Sequence, residues 1–339
     1  MQQFVIERFG EAEAIGGLDE TGIPKKGPHS AGVHKQYCGA LGKIENCQVA
    51  TLLTYASARG HVFLDRRLFL PEEWCWDRAR RARAKIPASV TFQTKPEQAR
   101  AMLEHAWERG VPMRWVTGDS VYGDSPTLRA AIQAHGCWYV LALTSVVRCW
   151  LNPPPLEQPQ EQTGGRPRRA VRLAPHAPKA RPVAEVIARL PREQWKRLSV
   201  GTGTKGPRSY DWARVRVIES RDGFPGPEVW LLARRSVSDP KELTYYFALA
   251  PKTVSLQQLA TVAGTRYTVE QVIKEAKSEV GFDRYEVRYW HSWYRHITLS
   301  MLAQVWLADQ RQAAGEKNGR GGFDRARSAA PAGGGPALA

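Results

Sequence analysis

Met-Arg-Trp-Val-Thr-Gly-Asp, residues 113–119, predicts a short buried strand that ends in a glycine and an acid. Before it, residues 96–109 place apolar side chains at helical spacing, and Pro96 takes a position that the first turn of a helix permits. After it come a helical segment, with Leu128 and Ile132 on one face, and an apolar strand over residues 138–143. Residues 14–63 are strand-like. Strands followed by this alternation predict an α/β fold, in which helices flank a partly parallel sheet.

Asp119 stands just past the predicted strand, where α/β folds present ligand groups. Taken on its own, Asp119 is better explained as the cap of the following helix. Two more acids have comparable settings: Asp19 in Leu-Asp-Glu-Thr-Gly (18–22), and Glu270 in Arg-Tyr-Thr-Val-Glu (266–270). Mg²⁺ prefers carboxylate oxygens and keeps waters and substrate phosphates as its remaining ligands. The three acids therefore predict phosphate and magnesium chemistry.

The overall charge supports an anionic partner. The chain has 339 residues, with 49 Lys and Arg against 33 Asp and Glu, so its formal charge is +16. Such an excess favours binding of a polyanion over a charge that serves only solubility. An acidic triad inside a cationic protein indicates an enzyme that cuts or joins nucleic acid.

Changes in composition divide the chain into four regions. Residues 1–145 predict the first part of the α/β domain, and residues 146–255 predict a basic, β-rich insertion with a Pro- and Arg-rich loop. Residues 256–310 predict helices that complete the domain. The Gly-, Ala- and Pro-rich residues 311–339 predict a disordered tail.

The helix predicted around Glu270 is amphipathic. Lys274 and Lys277 fall within about 40° of Glu270 around the helix, away from the apolar stripe. Spacing alone is explained by an ordinary Glu-to-Lys pair at i, i+4, which contributes a few tenths of a kcal/mol. Arg266, one turn upstream, favours instead a metal-binding acid among cations that hold phosphates.

Other basic residues are candidates for DNA contacts. Lys25 and Lys26 follow Asp19 and suit a backbone phosphate, although a solvated turn explains them too. Lys205 lies in the Gly-rich loop 201–206, which lacks the spacing of a nucleotide-binding loop. In the aromatic and basic run 288–296, Arg288 and Arg295 are left open between DNA contact and packing, whereas Trp293 at helical spacing favours packing.

Several segments resemble the catalytic part of DDE transposases of the IS4/IS701-like group of insertion sequences. They include LDETGIPKKG (18–27), WVTGDSVYGD (115–124) and RYTVEQVIKEAKSEVGFDRYEVRYWHSWYRHITLSMLA (266–303), in the expected order. The last segment carries the family's Arg-x3-Glu-x6-Lys pattern as Arg266, Glu270 and Lys277. The resemblance covers roughly residues 5–310.

The resemblance implies an RNase H-like mixed sheet flanked by helices, with a β-rich insertion between the second Asp and the Glu. It implies that Asp19, Asp119 and Glu270 bind metal, and that Arg266 and Lys277 contact the transposon end. Gly16 and Gly17 depart from the Val- and Leu-rich strand usual before the first acid and predict a weakened strand. Only 18 residues precede Asp19, so a front region of the family is expected to be missing.

The function that follows is metal-dependent cleavage and strand transfer of double-stranded DNA, with two Mg²⁺ ions or Mn²⁺ as substitute. The alternatives are a catalytically idle DNA-binding remnant and a nuclease that does not transfer strands. A homodimer on DNA is a hypothesis, since two ends must be brought together, and no heptad supports it. No secretory signal or membrane span is predicted, and five scattered cysteines suit a reduced cytosolic protein on the bacterial nucleoid. The spacing of His29, His34, Cys38 and Cys47 does not predict a zinc site.

Overall fold

The computed structural model describes residues 1–158, 171–203 and 206–317. The strands are β1 (Ile15–Pro24), β2 (His34–Cys38), β3 (Lys43–Ser57), β4 (Gly60–Leu68), β5 (Trp115–Gly118), β6 (Trp138–Leu143), β7 (Arg148–Trp150), β8 (Leu156–Glu157), β9 (Arg172–Leu173), β10 (Arg181–Pro182), β11 (Lys196–Gly203), β12 (Gly206–Arg221), β13 (Phe224–Ser236) and β14 (Leu243–Leu249). The helices are α1 (Gln2–Phe9), α2 (Glu72–Trp76), α3 (Arg78–Arg83), α4 (Lys95–Glu108), α5 (Ser120–Gly123), α6 (Pro126–Ala134), α7 (Val183–Ile187), α8 (Leu256–Gly264), α9 (Arg266–Glu279) and α10 (Trp290–Lys317), with a 3₁₀ turn at Arg192–Gln194.

Five strands form the mixed sheet that carries the predicted acids. β1 pairs antiparallel with β3, and β3 pairs antiparallel with β4. On its other side β1 pairs parallel with β5, and β5 pairs parallel with β6. The two parallel strands are reached through the helical crossovers α4 and α5–α6, as parallel pairing requires. This arrangement confirms the predicted RNase H-like fold class.

The strands of the predicted insertion extend the same sheet. β14 pairs antiparallel with β6, and β13 and β12 follow in order. β11 and β7 both pair with β12, and β10 pairs with β7. One sheet of 12 strands therefore runs from β2 and β4 through the acids to β10. Of the Gly-rich loop 201–206, Gly203 at the end of β11 pairs with Gly206 at the start of β12, and Lys205 lies outside the described residues.

Helices cover both faces of this sheet. Leu52 and Leu53 are consecutive in β3 and belong to two different hydrophobic cores, as strand alternation demands. Leu53 packs in the core that contains Met102 of α4, and Leu52 packs in the core that contains Val272 of α9. Helix α4 begins with a capping box at Thr94, which fixes its start next to β1.

The last helix is longer than the sequence predicted. α10 continues to Lys317, past the predicted start of the tail at residue 311. Arg311 pairs with Glu275 and Glu279 of α9, and these ion pairs hold the added turn against α9. Residues 318–339 lie outside the described residues. Within the described ranges, no helix combines the length and the apolar character needed to cross a membrane.

Candidate active site

The first two predicted acids are neighbours across two paired strands. Leu18 of β1 stands opposite Gly118 of β5, so Asp19 and Asp119 are each the next residue along parallel chains. Asp119 follows the end of β5, whereas Asp19 lies within β1, which continues to Pro24. The parallel register therefore brings together two carboxylates that are 100 positions apart in the sequence.

Asp19 is nearly enclosed, with 9% of its surface exposed. The pKa of Asp19 is raised from 3.8 to about 7, chiefly by burial and in part by the negative charges of Asp119 and Glu270. The backbone amide of Glu20, which donates to Asp19 Oδ1 at 2.8 Å, and the charge of Arg266 lower it in part. Asp19 is therefore a carboxyl group that the fold holds without sufficient compensating charge.

Asp119 also caps a helix. Its Oδ1 accepts a hydrogen bond of 2.9 Å from the amide of Val121, so the capping role considered from sequence is real. Burial raises the pKa of Asp119, against the opposing effects of the Val121 amide and of Arg266. Asp119 therefore caps helix α5 and is also a neighbour of Asp19.

Glu270 lies in the first turns of α9 and is half exposed. Its Oε1 is 2.7 Å from Nη2 of Arg266, four residues earlier. The helical ion pair considered from sequence therefore exists, but its cation is Arg266 and not Lys274. Glu270 and Asp19 line the same cleft, so α9 carries this third acid to the site, where its charge contributes to the raised pKa of Asp19.

Gly17 allows α9 to approach the strand that carries Asp19. A Cβ atom on Gly17 would lie 2.4 Å from Cγ2 of Val269 and 2.5 Å from Oγ1 of Thr54. Val269 precedes Glu270, so this contact sets the distance between the third acid and β1. Gly16 and Gly17 were predicted to weaken the strand; at Gly17 the structure adds a second role, because the missing side chain is what admits the helix.

The donor set suits a divalent cation in its chemistry. Asp19 and Asp119 supply oxygen ligands whose charge is poorly compensated, and a divalent cation would neutralise it. In the described part of the chain, no three His, Cys, Asp or Glu side chains are arranged to hold a metal ion together. Glu270 is instead engaged by Arg266. Asp19 and Asp119 therefore fit a metal ion by their chemical type, whereas the Glu270 carboxylate forms an ion pair with Arg266.

A cleft of about 610 Å³ opens over these residues and is called the acidic cleft. Its walls include Asp19, Thr21, Glu270, Lys274, Lys277 and Arg284. Asp119 is not among the residues that line it. Burial lowers the pKa of Lys277, whereas Lys274 is exposed. Acids and cations thus share one opening, as a site for a phosphodiester with metal would need.

The other predicted DNA contacts are dispersed. Lys25 turns to Tyr285: its Nζ donates to the Tyr285 carbonyl and lies 3.7 Å from the centre of that ring. Lys26 and Arg295 are exposed, and Arg288 lines a different cavity. The structure therefore brings Lys274 and Lys277 to the acidic cleft but not Lys25 or Arg288.

Sequence reasoning missed two residues at the site. Lys95, in the first turn of α4, forms an ion pair with Glu20, and both side chains are largely buried. Burial raises the pKa of Glu20 and the charge of Lys95 opposes that rise. Tyr122 is fully buried, and burial together with the charges of Glu20, Asp19 and Asp119 raises its pKa well above the usual value. The closeness of Tyr122 to Asp119, three residues earlier in the sequence, could have indicated that Tyr122 belongs to the site. No comparable sequence signal exists for Lys95.

Comparison with known proteins agrees with this geometry. The family model described as DDE superfamily endonuclease matches residues 1–207. A probable transposase for insertion sequence element IS701 from Microchaete diplosiphon is 33% identical over 109 residues. That match covers 32% of this chain and 26% of the relative's length.

Two solved structures are similar at low level. The piggyBac transposase in its synaptic complex with hairpin DNA is 9% identical, with a TM-score of 0.44. The match covers 91% of this chain and 49% of the piggyBac chain. The NurA nuclease from Sulfolobus solfataricus is 7% identical with a TM-score of 0.30, over 94% of this chain and 90% of its own. These two likenesses are too weak to support a conclusion. The family match, which spans more than half of the residues, shows that the chain belongs to the DDE superfamily of endonucleases, whose members use divalent metal ions.

Proposed function

We propose that the chain is the catalytic part of a transposase that cleaves double-stranded DNA and transfers the freed strand with the help of divalent ions. One observation carries the proposal: β1 and β5 bring Asp19 and Asp119 to neighbouring positions, and Glu270 of α9 lines the same cleft as Asp19. The family match supports the endonuclease part. The strand-transfer part is supported by the similarity to the IS701 transposase, which is limited to the 109 aligned residues.

Asp19 and Asp119 would hold the ion between β1 and β5, and Glu270 would join them after it leaves Arg266. Two Mg²⁺ ions are proposed, with Mn²⁺ as substitute. When bound, such ions supply an activated water and stabilise the departing 3′ oxygen of a phosphodiester. Arg266, freed from Glu270, would then be available to a phosphate. The same pocket suits transfer, because a 3′ hydroxyl attacks a target phosphodiester by the same kind of displacement.

The cations of the acidic cleft would position the DNA. Lys274 and Lys277 lie on the α9 surface that carries Glu270, and Arg284 lies on the facing segment. Their charges would offset the repulsion between the acids and a DNA backbone. Binding should therefore weaken steeply as salt rises. A homodimer on DNA and a place on the nucleoid belong to the same proposal.

The test uses a plasmid that carries the DNA on both sides of the gene. The plasmid is incubated with the protein and Mg²⁺ or Mn²⁺, and nicks and strand-transfer products are scored. Asp19→Asn, Asp119→Asn and Glu270→Gln should each abolish nicking. Asp283→Asn is the matched control, since Asp283 is an acid of the same cleft outside the proposed triad. Equal losses in the triad variants and in the control would refute the assignment.

Two other outcomes separate the alternatives. A wild-type chain that binds the plasmid but never nicks it, with any divalent ion, would identify an idle remnant; the Arg266–Glu270 ion pair is the observation that favours that alternative. Nicks without joined products would identify a nuclease that lacks strand transfer.

A further inference from the structure

A second cavity, of about 270 Å³, is lined by basic and aromatic side chains. His29, Arg80, Arg83, Arg288 and Tyr289 form its walls, and none of these is acidic. We call it the arginine cavity. Three guanidinium groups around one opening repel each other, so the arrangement favours an anion between them.

Arg80 is fixed in place before any ligand arrives. Its guanidinium lies 3.8 Å from the centre of the Trp74 ring, and its Nη2 donates to the carbonyls of Pro28 and Val33 at 3.1 and 3.0 Å. Arg80 therefore loses little side-chain freedom when an anion binds. Guanidinium groups held this way are well suited to phosphate, which they bind through two N–H groups at once.

Lys85 adds a fourth cation at a backbone position that lysine rarely takes. It follows the end of α3 with a φ of 54°, in the left-handed region that favours glycine. The amide of Ile86 donates to the Arg81 carbonyl at 3.0 Å, which is the hydrogen bond typical of a helix that ends this way. The Nζ of Lys85 lies 4.5 Å from the centre of the Tyr289 ring, at the wall of the cavity. Lysine in place of glycine therefore brings charge to this cavity at a cost in backbone strain.

Two chain segments connect the arginine cavity to the acidic cleft. One runs from Thr21 to His29, and the other runs from Arg284 to Arg288. The second segment can span at most about 14 Å, at roughly 3.5 Å for each of four residues. Lys25 of the first segment donates to the Tyr285 carbonyl of the second, so the two lie together. Phosphates of one DNA strand advance about 3.4 Å along the axis per nucleotide, so the backbone distance between Arg284 and Arg288 corresponds to roughly four nucleotides or fewer.

We propose that the arginine cavity binds a backbone phosphate of the DNA whose cleaved phosphodiester occupies the acidic cleft, a few nucleotides away. The inference rests on the proposed function for its choice of DNA as the anion. It assigns Arg83, Lys85 and Arg288 to positioning of the DNA, through contacts that carry no sequence information.

The experiment measures binding of a fluorescein-labelled duplex of about 30 base pairs by anisotropy, over a range of salt and without divalent ions. The variants are Lys85→Gly and the double variant Arg83→Ala with Arg288→Ala. Arg109→Ala is the control: Arg109 is exposed at the far end of α4, about 20 Å along that helix from Lys95, which pairs with Glu20 of the acidic cleft.

Each lost phosphate contact should reduce the slope of log affinity against log salt by about 0.9. We expect a reduced slope in the double variant and in Lys85→Gly, and none in Arg109→Ala. Lys85→Gly should leave the melting temperature unchanged or higher, because glycine relieves the left-handed strain. Weaker binding by a chain that is no less stable would be a result that a merely structural role for Lys85 cannot produce.

Unchanged slopes in both variants would overturn the proposal. So would a cavity that takes only small anions: inorganic phosphate would raise the melting temperature of wild type but not of the double variant, while DNA binding stayed the same. The outcome is separable from that of the proposed function. If the salt slope falls in the variants but the wild-type chain never nicks DNA, this inference is supported and catalysis is rejected. If the wild-type chain nicks DNA but the salt slope is unchanged in the variants, catalysis is supported and this inference is rejected.

Discussion

Two buried carboxylates in this protein have opposite surroundings. Glu219 of β12 is fully buried and accepts hydrogen bonds from Arg129 Nε at 3.0 Å, from the Tyr139 hydroxyl at 3.3 Å, and from Arg221. Asp19 is almost as deeply buried, yet its strongest side-chain neighbour in charge is another acid, Asp119. One carboxylate is fully compensated by donors and the other is not.

The difference separates a structural charge from one kept for function. Glu219 connects the insertion strand β12 to α6 and β6, and a compensated ion network there holds two regions in one arrangement. The surroundings of Asp19 raise its pKa, and such an uncompensated site is stabilised when a cation arrives. Two substitutions test this contrast directly, and two more test how the site around Asp19 is built.

Removal of Arg129 should have the largest effect on stability. Arg129→Ala leaves Glu219 buried with only part of its donors, and breaking a buried pair in this way costs about 3–5 kcal/mol. Urea unfolding followed by circular dichroism measures the loss. The double variant Arg129→Met with Glu219→Leu is the matched comparison, and it should recover most of the stability. A single variant as stable as wild type would contradict the structural role of this pair.

Neutralisation of Asp19 should increase stability, in contrast to the removal of Arg129. The pKa of Asp19 is raised from 3.8 to about 7 in the folded chain, so between these values the folded state holds the proton more tightly and its stability falls as pH rises. Asp19→Asn should therefore stabilise the metal-free protein above about pH 7, by up to roughly 4 kcal/mol, and by little near pH 4. Melting temperatures at the two pH values give the result. A gain that does not depend on pH would show that Asp19 carries no such penalty.

Separation of α9 from β1 should have an intermediate effect. Gly17→Ala places a methyl group 2.4 Å from Val269 and should cost about 1–3 kcal/mol through overpacking. Because the displaced helix carries Glu270, nicking should fall by more than the loss of stability explains. Gly39→Ala is the control for stability alone, since a Cβ there meets nothing within 4 Å but Gly39 lines the acidic cleft. Full nicking activity in a destabilised Gly17→Ala would show that this contact does not position the third acid.

Replacement of Glu270 should barely change stability. Its ion pair with Arg266 is exposed on a helix surface, where such pairs contribute below about 0.5 kcal/mol. Glu270→Gln should unfold at the same urea concentration as wild type and bind DNA normally, but fail to nick it. Lost DNA binding with intact nicking would assign Glu270 to DNA contact instead.

Local patterns in the sequence were sufficient for much of the fold. The apolar spacing of residues 96–109 and of Leu128 and Ile132 predicted α4 and α6, and the stripe beside Glu270 predicted the buried face of α9. Each of these patterns is complete within one short segment, so it can be recognised from the sequence without knowledge of the rest of the fold. The extent of α10 was misjudged because Arg311, at the predicted start of the tail, forms ion pairs with α9, which composition does not show.

The details of the site were less accessible. A glycine in a strand signals weakness when only its own segment is known, and the atoms that need Gly17 belong to Val269, about 250 positions later. Lys25 and Lys26 look equivalent in the sequence, yet only the fold decides that Lys25 contacts Tyr285 while Lys26 is exposed. Long-range packing, and not composition, sets these directions.

The direct pairing of β14 with β6 has a consequence for attempts to shorten the protein. Without residues 146–249, β6 would present a row of unpaired amides and carbonyls to solvent, flanked by apolar side chains such as Leu141 and Leu143. Open edges of that kind join to one another between molecules. A minimal version of the enzyme would therefore have to bring a new covering for this edge, or it would be lost to aggregation before its chemistry could be measured.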